Sequence, residues 1–238
     1  MCSINHEKKA IFIHIPKTAG IYIRQTLTNH YGFDLYLSKR PDHITFCKTN
    51  LALNKNQQLY FANSAEGVIN YYKTSKELSD LMNMDDHKWD TYFKFCFVRN
   101  PYERIISGWN YICQVHHLNI GFKKYLSLKN IVNEEEYFHV FLPQSKQLFN
   151  EKNEKYIDFI GRFEYLEDDF KEILLKIGFD ENEINHDPSE KKNERPHKSA
   201  NIIISDQELL DKVNEICQPD FDVLSDMYSK ITDINQLI

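Results

Sequence analysis

The run Lys9-Ala-Ile-Phe-Ile-His-Ile15 restricts the possible folds most strongly. It is apolar and β-branched without a polar residue at every second place, the pattern of a strand buried on both faces, as in parallel sheets. It breaks at Pro16 and leads through Lys17-Thr-Ala-Gly20 into Ile21–His30, which can form a helix. A second run, Tyr92-Phe-Lys-Phe-Cys-Phe-Val98, meets Asn100-Pro-Tyr-Glu103, which supplies an N-cap, a proline at the first helical position and a glutamate at the third. The helix opened there is expected to reach about Tyr111. A third strand is expected over Ile157–Phe163, followed by a helix over Asp168–Ile177 that Gly178 closes. Such repeated strand–loop–helix units predict an α/β fold with a mainly parallel central sheet, in which ligands bind beyond the carboxyl ends of the strands.

The remaining segments are less regular. Residues 31–65 are mixed. Thr74–Met82 reads as a short helix with Thr74 and Glu77 as a capping box. Residues 114–155 are polar and partly helical, with Glu134–Glu136 as a solvated face, and Asp180–Lys198 is a charged loop. A last helix is expected over Ser205–Cys217, capped by Ser205 with Glu208 and stopped near Pro219. No internal repeat or low-complexity linker interrupts the chain, which contains 7 Gly and 7 Pro, so a single domain over residues 1–238 is expected.

A formal net charge of −6 excludes a nucleic-acid binder that works by overall basicity. It leaves room for an anionic ligand held by a local group of cations and helix N-termini. The apolar stretches reach five or six residues, far short of a membrane span, and no signal-peptide pattern opens the chain. A cytoplasmic protein without membrane contact is therefore expected. Cys2, Cys47, Cys96, Cys113 and Cys217 are odd in number, scattered and never in a CxxC pair, which fits reduced thiols and no metal site.

Two segments carry chemistry, Ile11–Thr26 and Phe93–Tyr111. In the first, a turn between strand and helix exposes backbone N–H groups and the positive helix end, suited to a phosphate. Gly20 permits close backbone approach and Lys17 adds a cation. The same string also describes an ordinary strand–turn–helix with an exposed lysine. It is not the nucleotide-triphosphatase loop, since the chain contains no G-x-x-x-x-G-K-[ST] string. In the second segment Arg99 sits at the strand end and Ser107 lies eight residues on, about two helical turns. An arginine fork with a hydroxyl suits a phosphate monoester. Arg104 is read as structural.

Ile11-Phe-Ile-His-Ile-Pro-Lys-Thr-Ala-Gly20 resembles the 5′-phosphosulfate loop of the Golgi-type carbohydrate sulfotransferases and their bacterial relatives. Phe97-Val-Arg-Asn-Pro-Tyr-Glu-Arg-Ile-Ile-Ser107 resembles the 3′-phosphate motif of the same family. Asp158–Phe170, Leu142-Pro-Gln-Ser145 and Gln207–Leu224 are similar to later parts of it, so the likeness spans about residues 9 to 228. It implies a P-loop-like three-layer sandwich and transfer of a sulfuryl group from 3′-phosphoadenosine-5′-phosphosulfate (PAPS), with no metal. It further implies that Lys17 contacts the bridging oxygen. Pro16, Thr18, Ala19 and Gly20, with Ile21 and Tyr22 after them, would hold the 5′-phosphosulfate, and Arg99 and Ser107 the 3′-phosphate.

The chain departs from the family pattern at two places, the pair after Gly20 and the position of the candidate base. Ile21 and Tyr22 stand where Thr-Ser is usual, which removes two hydroxyl donors. Tyr72 stands where relatives carry a histidine as candidate base, and tyrosine is a poor base unless a cation lowers its pKa. His43 is an alternative base, and Glu66, His87, His116 and His117 are further candidates. His14, inside the first strand, is read as a core histidine. The expected activity is sulfation of a glycan or small-molecule acceptor, with a catalytically degenerate module binding PAPS or the bisphosphate product as the alternative. A phosphotransferase using ATP lacks its loop.

Overall fold

The computed structural model describes residues 2–36, 86–130, 140–148, 155–185 and 204–236. The expected helix Thr74–Met82 and the acidic run Glu134–Glu136 lie outside them, as does the charged loop beyond residue 185. The chain forms two compact units, one from Met1–Val98 with Leu148–Asn193, the other from Arg99–Gln147 with Glu194–Ile238.

The first unit is built on a five-stranded sheet: β1 (Cys2–Asn5), β2 (Ala10–Ile13), β3 (Asp34–Tyr36), β4 (Phe93–Val98) and β5 (Phe159–Arg162), in the order β3-β1-β2-β4-β5. β2 pairs in parallel with β4, setting Ile13 opposite Cys96, and β4 pairs in parallel with β5, setting Val98 opposite Arg162. β1 runs antiparallel to both β2 and β3. Four of the five strands therefore share one direction, and the fold is mixed α/β as the hydrophobic runs predict. β1 and β3 are additions to that expectation. Each is four residues or fewer, too short to show a period.

The two long apolar runs lack alternation because both of their faces are buried. On one face Ala10, Phe12, Phe95 and Phe97 join Tyr22, Ile23 and Leu27 of α1 (Gly20–His30) in a single core. Phe170, Ile173 and Leu174 of α5, described below, complete that cluster. On the other face Ile11, Ile13, Cys96 and Val98 are equally hidden. Each phenyl or branched aliphatic group so buried contributes about 1.5–3 kcal/mol. Burial also pushes the Cys96 thiol up, as expected of a packing residue rather than a nucleophile.

Between the strands, α2 (Asp86–Thr91) leads into β4. β5 is joined to α5 (Leu166–Lys176) by Arg162, whose Nε and Nη2 donate to Asp169 at 3.0 and 2.8 Å while its backbone N–H donates to the same carboxylate at 2.7 Å. Gly178 follows α5 at φ 89°, the left-handed conformation that ends a helix with least strain on glycine.

The second unit packs α3 (Pro101–Val115) against α4 (Phe122–Leu126) and α6 (Gln207–Val223). Asn100 caps α3 as expected, its side-chain oxygen accepting from the Tyr102 and Glu103 N–H groups. The Tyr102 hydroxyl donates to Asn214 at 2.7 Å and accepts the Ile231 N–H at 2.8 Å, and burial pushes its pKa up to about 12. α6 corrects the expected boundaries. Asp206, not Ser205, caps it by accepting the Leu209 N–H at 2.9 Å. The helix also passes through Pro219 to Val223, because Leu209, Leu210, Val213, Ile216 and Phe221 continue its buried face on either side. Among the described residues no helix is long and apolar enough to cross a membrane.

Candidate functional site

In the first unit the site begins where β2 leaves the sheet. Ile15 and Pro16 are buried and Lys17 is half-buried. Lys17 at φ 71° and Ala19 at φ 64° both adopt the left-handed conformation without being glycine. Thr18, between them, is fully buried, and its hydroxyl donates to the Ile15 carbonyl at 2.8 Å. That bond closes the turn and leaves Thr18 its N–H, rather than its hydroxyl, to offer a ligand. Ala19 occupies the N-cap of α1, and its side chain caps none of the first-turn amides. Concave turns of this kind, at the positive end of a helix, bind anions.

Gly20 is fixed by a neighbour within the fold. A Cβ there would lie 1.8 Å from His14 Cδ2 and 2.0 Å from its Nε2. His14 is buried, as expected of a core histidine, and its ring fills the space over the start of α1. Gly20→Ala is expected to destabilise the fold by about 1–3 kcal/mol through this overlap. His14→Ala in the same chain should recover part of the loss, read as a coupling energy in a double-mutant cycle by urea unfolding. Strict additivity would show that the His14 contact is not what requires glycine.

The two residues after Gly20 diverge. Ile21 is 46% exposed, whereas the Tyr22 side chain belongs to the core cluster with Phe12 and Ile23. Expected among the nucleotide-binding residues, Tyr22 directs its phenol into the interior. What it can offer at the turn is its backbone.

The second segment is divided between the two units: β4, a parallel neighbour of β2, ends the first at Val98, and Arg99 opens the second. Arg99 is buried, and its Nη2 lies 3.8 Å from Glu103 Oε2, one helical turn on. The Gln144 amide spans its backbone, accepting the Arg99 N–H at 3.0 Å and donating to the Arg99 carbonyl at 2.6 Å. Ser107 is half-buried on α3, four residues beyond Glu103 and so on the same helical face.

Arg104, on α3, is buried. Burial pulls its guanidinium below the ordinary range, and Asp220 of α6 opposes that shift. The carboxylate near it is Asp220, itself buried, rather than one at the surface.

Tyr72, His43 and Glu66, among the expected base candidates, lie outside the described residues. His87 is exposed on α2, and His116 and His117 are exposed just beyond α3. Gln144 is the residue at this site that motif reasoning did not single out. Its signal in the sequence is the short likeness at Leu142–Ser145, which does not identify a role.

The sequence profile of the Sulfotransferase family matches residues 2–229. A protein from Archaeoglobus fulgidus, described as uncharacterized, is 33% identical over 95 residues, which cover 39% of this chain and 73% of that protein. No solved structure matches. The profile takes in both strand–turn–helix segments and everything between them, and on that extent the chain belongs to the sulfotransferase family.

Proposed function

We propose that the chain transfers a sulfuryl group from PAPS to a hydroxyl or amine of a glycan or small-molecule acceptor, on a P-loop-like three-layer scaffold. The observation that carries this reading is the turn at Lys17 and Ala19, lying inside a family match over nearly the whole chain. Two non-glycine residues in the left-handed region cost about 1–2 kcal/mol each. Such strain concentrates at ligand clamps, where the backbone must present its amides in one direction.

The residues fit the donor in the following roles. The N–H groups of Thr18, Ala19 and Gly20 hold the 5′-phosphosulfate, with Pro16 fixing the entry to the turn. Ile21 and Tyr22 add backbone only. Lys17 neutralises charge that builds on the oxygen bridging phosphorus and sulfur. Arg99 and Ser107 hold the 3′-phosphate, with Glu103 orienting the guanidinium. Bound there, PAPS supplies a sulfuryl group on a phosphate leaving group. The protein contributes position and charge stabilisation, and Tyr72 or His43 is assigned to take the acceptor's proton.

The test is thermal unfolding with 3′,5′-adenosine bisphosphate and with ADP. A ligand specific for the folded state stabilises it by about 2.7 kcal/mol at a hundred times its Kd. The bisphosphate should raise Tm more than ADP at equal concentration. A preference for ADP, or no response to either, overturns the reading. A second reading, a module that binds the nucleotide without turnover, is favoured by Ile21, which has no hydroxyl, and by Tyr22, whose phenol packs into the core rather than at the turn. Bisphosphate binding with no transfer across a broad acceptor panel would select it.

A further inference from the structure

We infer that Gln144 is a positioning residue for the 3′-phosphate site and sets the protein's preference for 3′-phosphorylated nucleotides. This rests on the role proposed above for Arg99. Gln144 is fully buried, and its amide makes both hydrogen bonds to the Arg99 backbone, in the manner of a neighbouring strand. Arg99 lies between the end of β4 and the Asn100 cap of α3, so it belongs to neither regular element. Its own N–H and C=O are thereby tied to a side chain 45 residues away in sequence.

Gln144 is held in turn. It opens a short 3₁₀ turn, Gln144–Gln147, whose Ser145 N–H donates to Asp220 Oδ1 at 2.8 Å. The Gln144 N–H faces the same carboxylate. Asp220 is buried on α6 and faces Arg104 of α3. A continuous chain of buried polar contacts therefore runs from α6 through the Gln144 turn to the Arg99 backbone. Its terminus is the peptide whose direction aims the Arg99 guanidinium. A displacement of about 1 Å at such a support is enough to lose most of a bidentate contact.

The test uses the full chain, with 3′,5′-adenosine bisphosphate and 5′-AMP as probes, which differ by the 3′-phosphate. Gln144→Met keeps the side-chain volume and removes both bonds to Arg99. Bisphosphate affinity is expected to fall about tenfold or more while 5′-AMP affinity stays within about twofold, so the ratio of the two Kd values collapses. A structural role alone would weaken both probes equally, and that outcome overturns the proposal. If Gln144→Met does not fold, Gln144→Glu reads the same ratio. It loses the donor to the Arg99 carbonyl and adds a negative charge, so the ratio must fall there as well, and an unchanged ratio overturns the proposal. If the wild type itself does not distinguish the probes, the assignment of Arg99 fails first and the proposal falls with it. A wild-type preference that persists in the variant refutes Gln144 alone.

Discussion

Lys17→Ala is expected to slow sulfuryl transfer by about a hundred- to a thousand-fold while leaving affinity for 3′,5′-adenosine bisphosphate nearly unchanged. The magnitude is that of removing one preorganised electrostatic group from a transition state. The bisphosphate lacks the bond being broken, so a residue that acts mainly on the bridging oxygen contributes little to holding it. Single-turnover rates and a bisphosphate titration on the same preparation separate the two effects. A rate within a few-fold of wild type would remove Lys17 from the chemistry.

The backbone at this position supplies an internal control. Lysine and alanine both carry a Cβ, so both bear the cost of φ 71°, and Lys17→Ala should leave stability within about 0.5 kcal/mol of wild type. Lys17→Gly differs. Loss of the Cβ relieves about 1–2 kcal/mol of strain, against about 0.5–1 kcal/mol of added unfolded-state entropy. The glycine variant should therefore be at least as stable as wild type and as slow as the alanine variant. A rate lost together with stability would point to a disrupted turn rather than a missing ammonium.

That control was invisible before the backbone was known. β2, the turn and α1 are legible in the sequence, because a hydrophobic run, a proline and a glycine each act locally, and so are β4, the Asn100 cap, α5 and Gly178. Left-handed dihedrals at Lys17 and Ala19 have no such mark, since neither residue type favours them. The reason for Gly20 was also hidden. The sequence offered close approach of a ligand, whereas the described neighbour that requires glycine is the His14 ring. Tyr22 belongs to the core through residues of β2 and β4 that local pattern cannot connect to it. Pro219 failed as a stop signal because the packing face of α6 extends beyond it, and packing outweighs one lost backbone bond. Gln144 was beyond reach for a different reason: its work is done on the backbone of a residue far away in sequence, and a side chain that bonds a backbone leaves no complementary residue type to search for.

Asp220→Ala is expected to destabilise the protein by about 3–5 kcal/mol, the range for removing one member of a buried charged pair. The buried Ser145 and Gln144 N–H groups lose their acceptor at once, and the buried Arg104 guanidinium loses a nearby negative charge. Asp220→Asn retains an oxygen acceptor for the amides and should lose less. The comparison also carries a pH signature. Burial raises the Asp220 carboxyl above its ordinary value, in spite of Arg104 and the amides that lower it. A group whose folded pKa is raised gives its full stabilisation below the unfolded pKa and loses it as pH rises through the folded value. Asparagine has no such dependence. The stability deficit of Asp220→Asn relative to wild type should therefore be largest at acid pH and narrow as pH rises above the ordinary carboxylate range, measured by urea unfolding at a series of pH values. A deficit that widens with pH would mean that the ionised carboxylate is favoured at this site, so that attraction to Arg104, rather than burial, governs it.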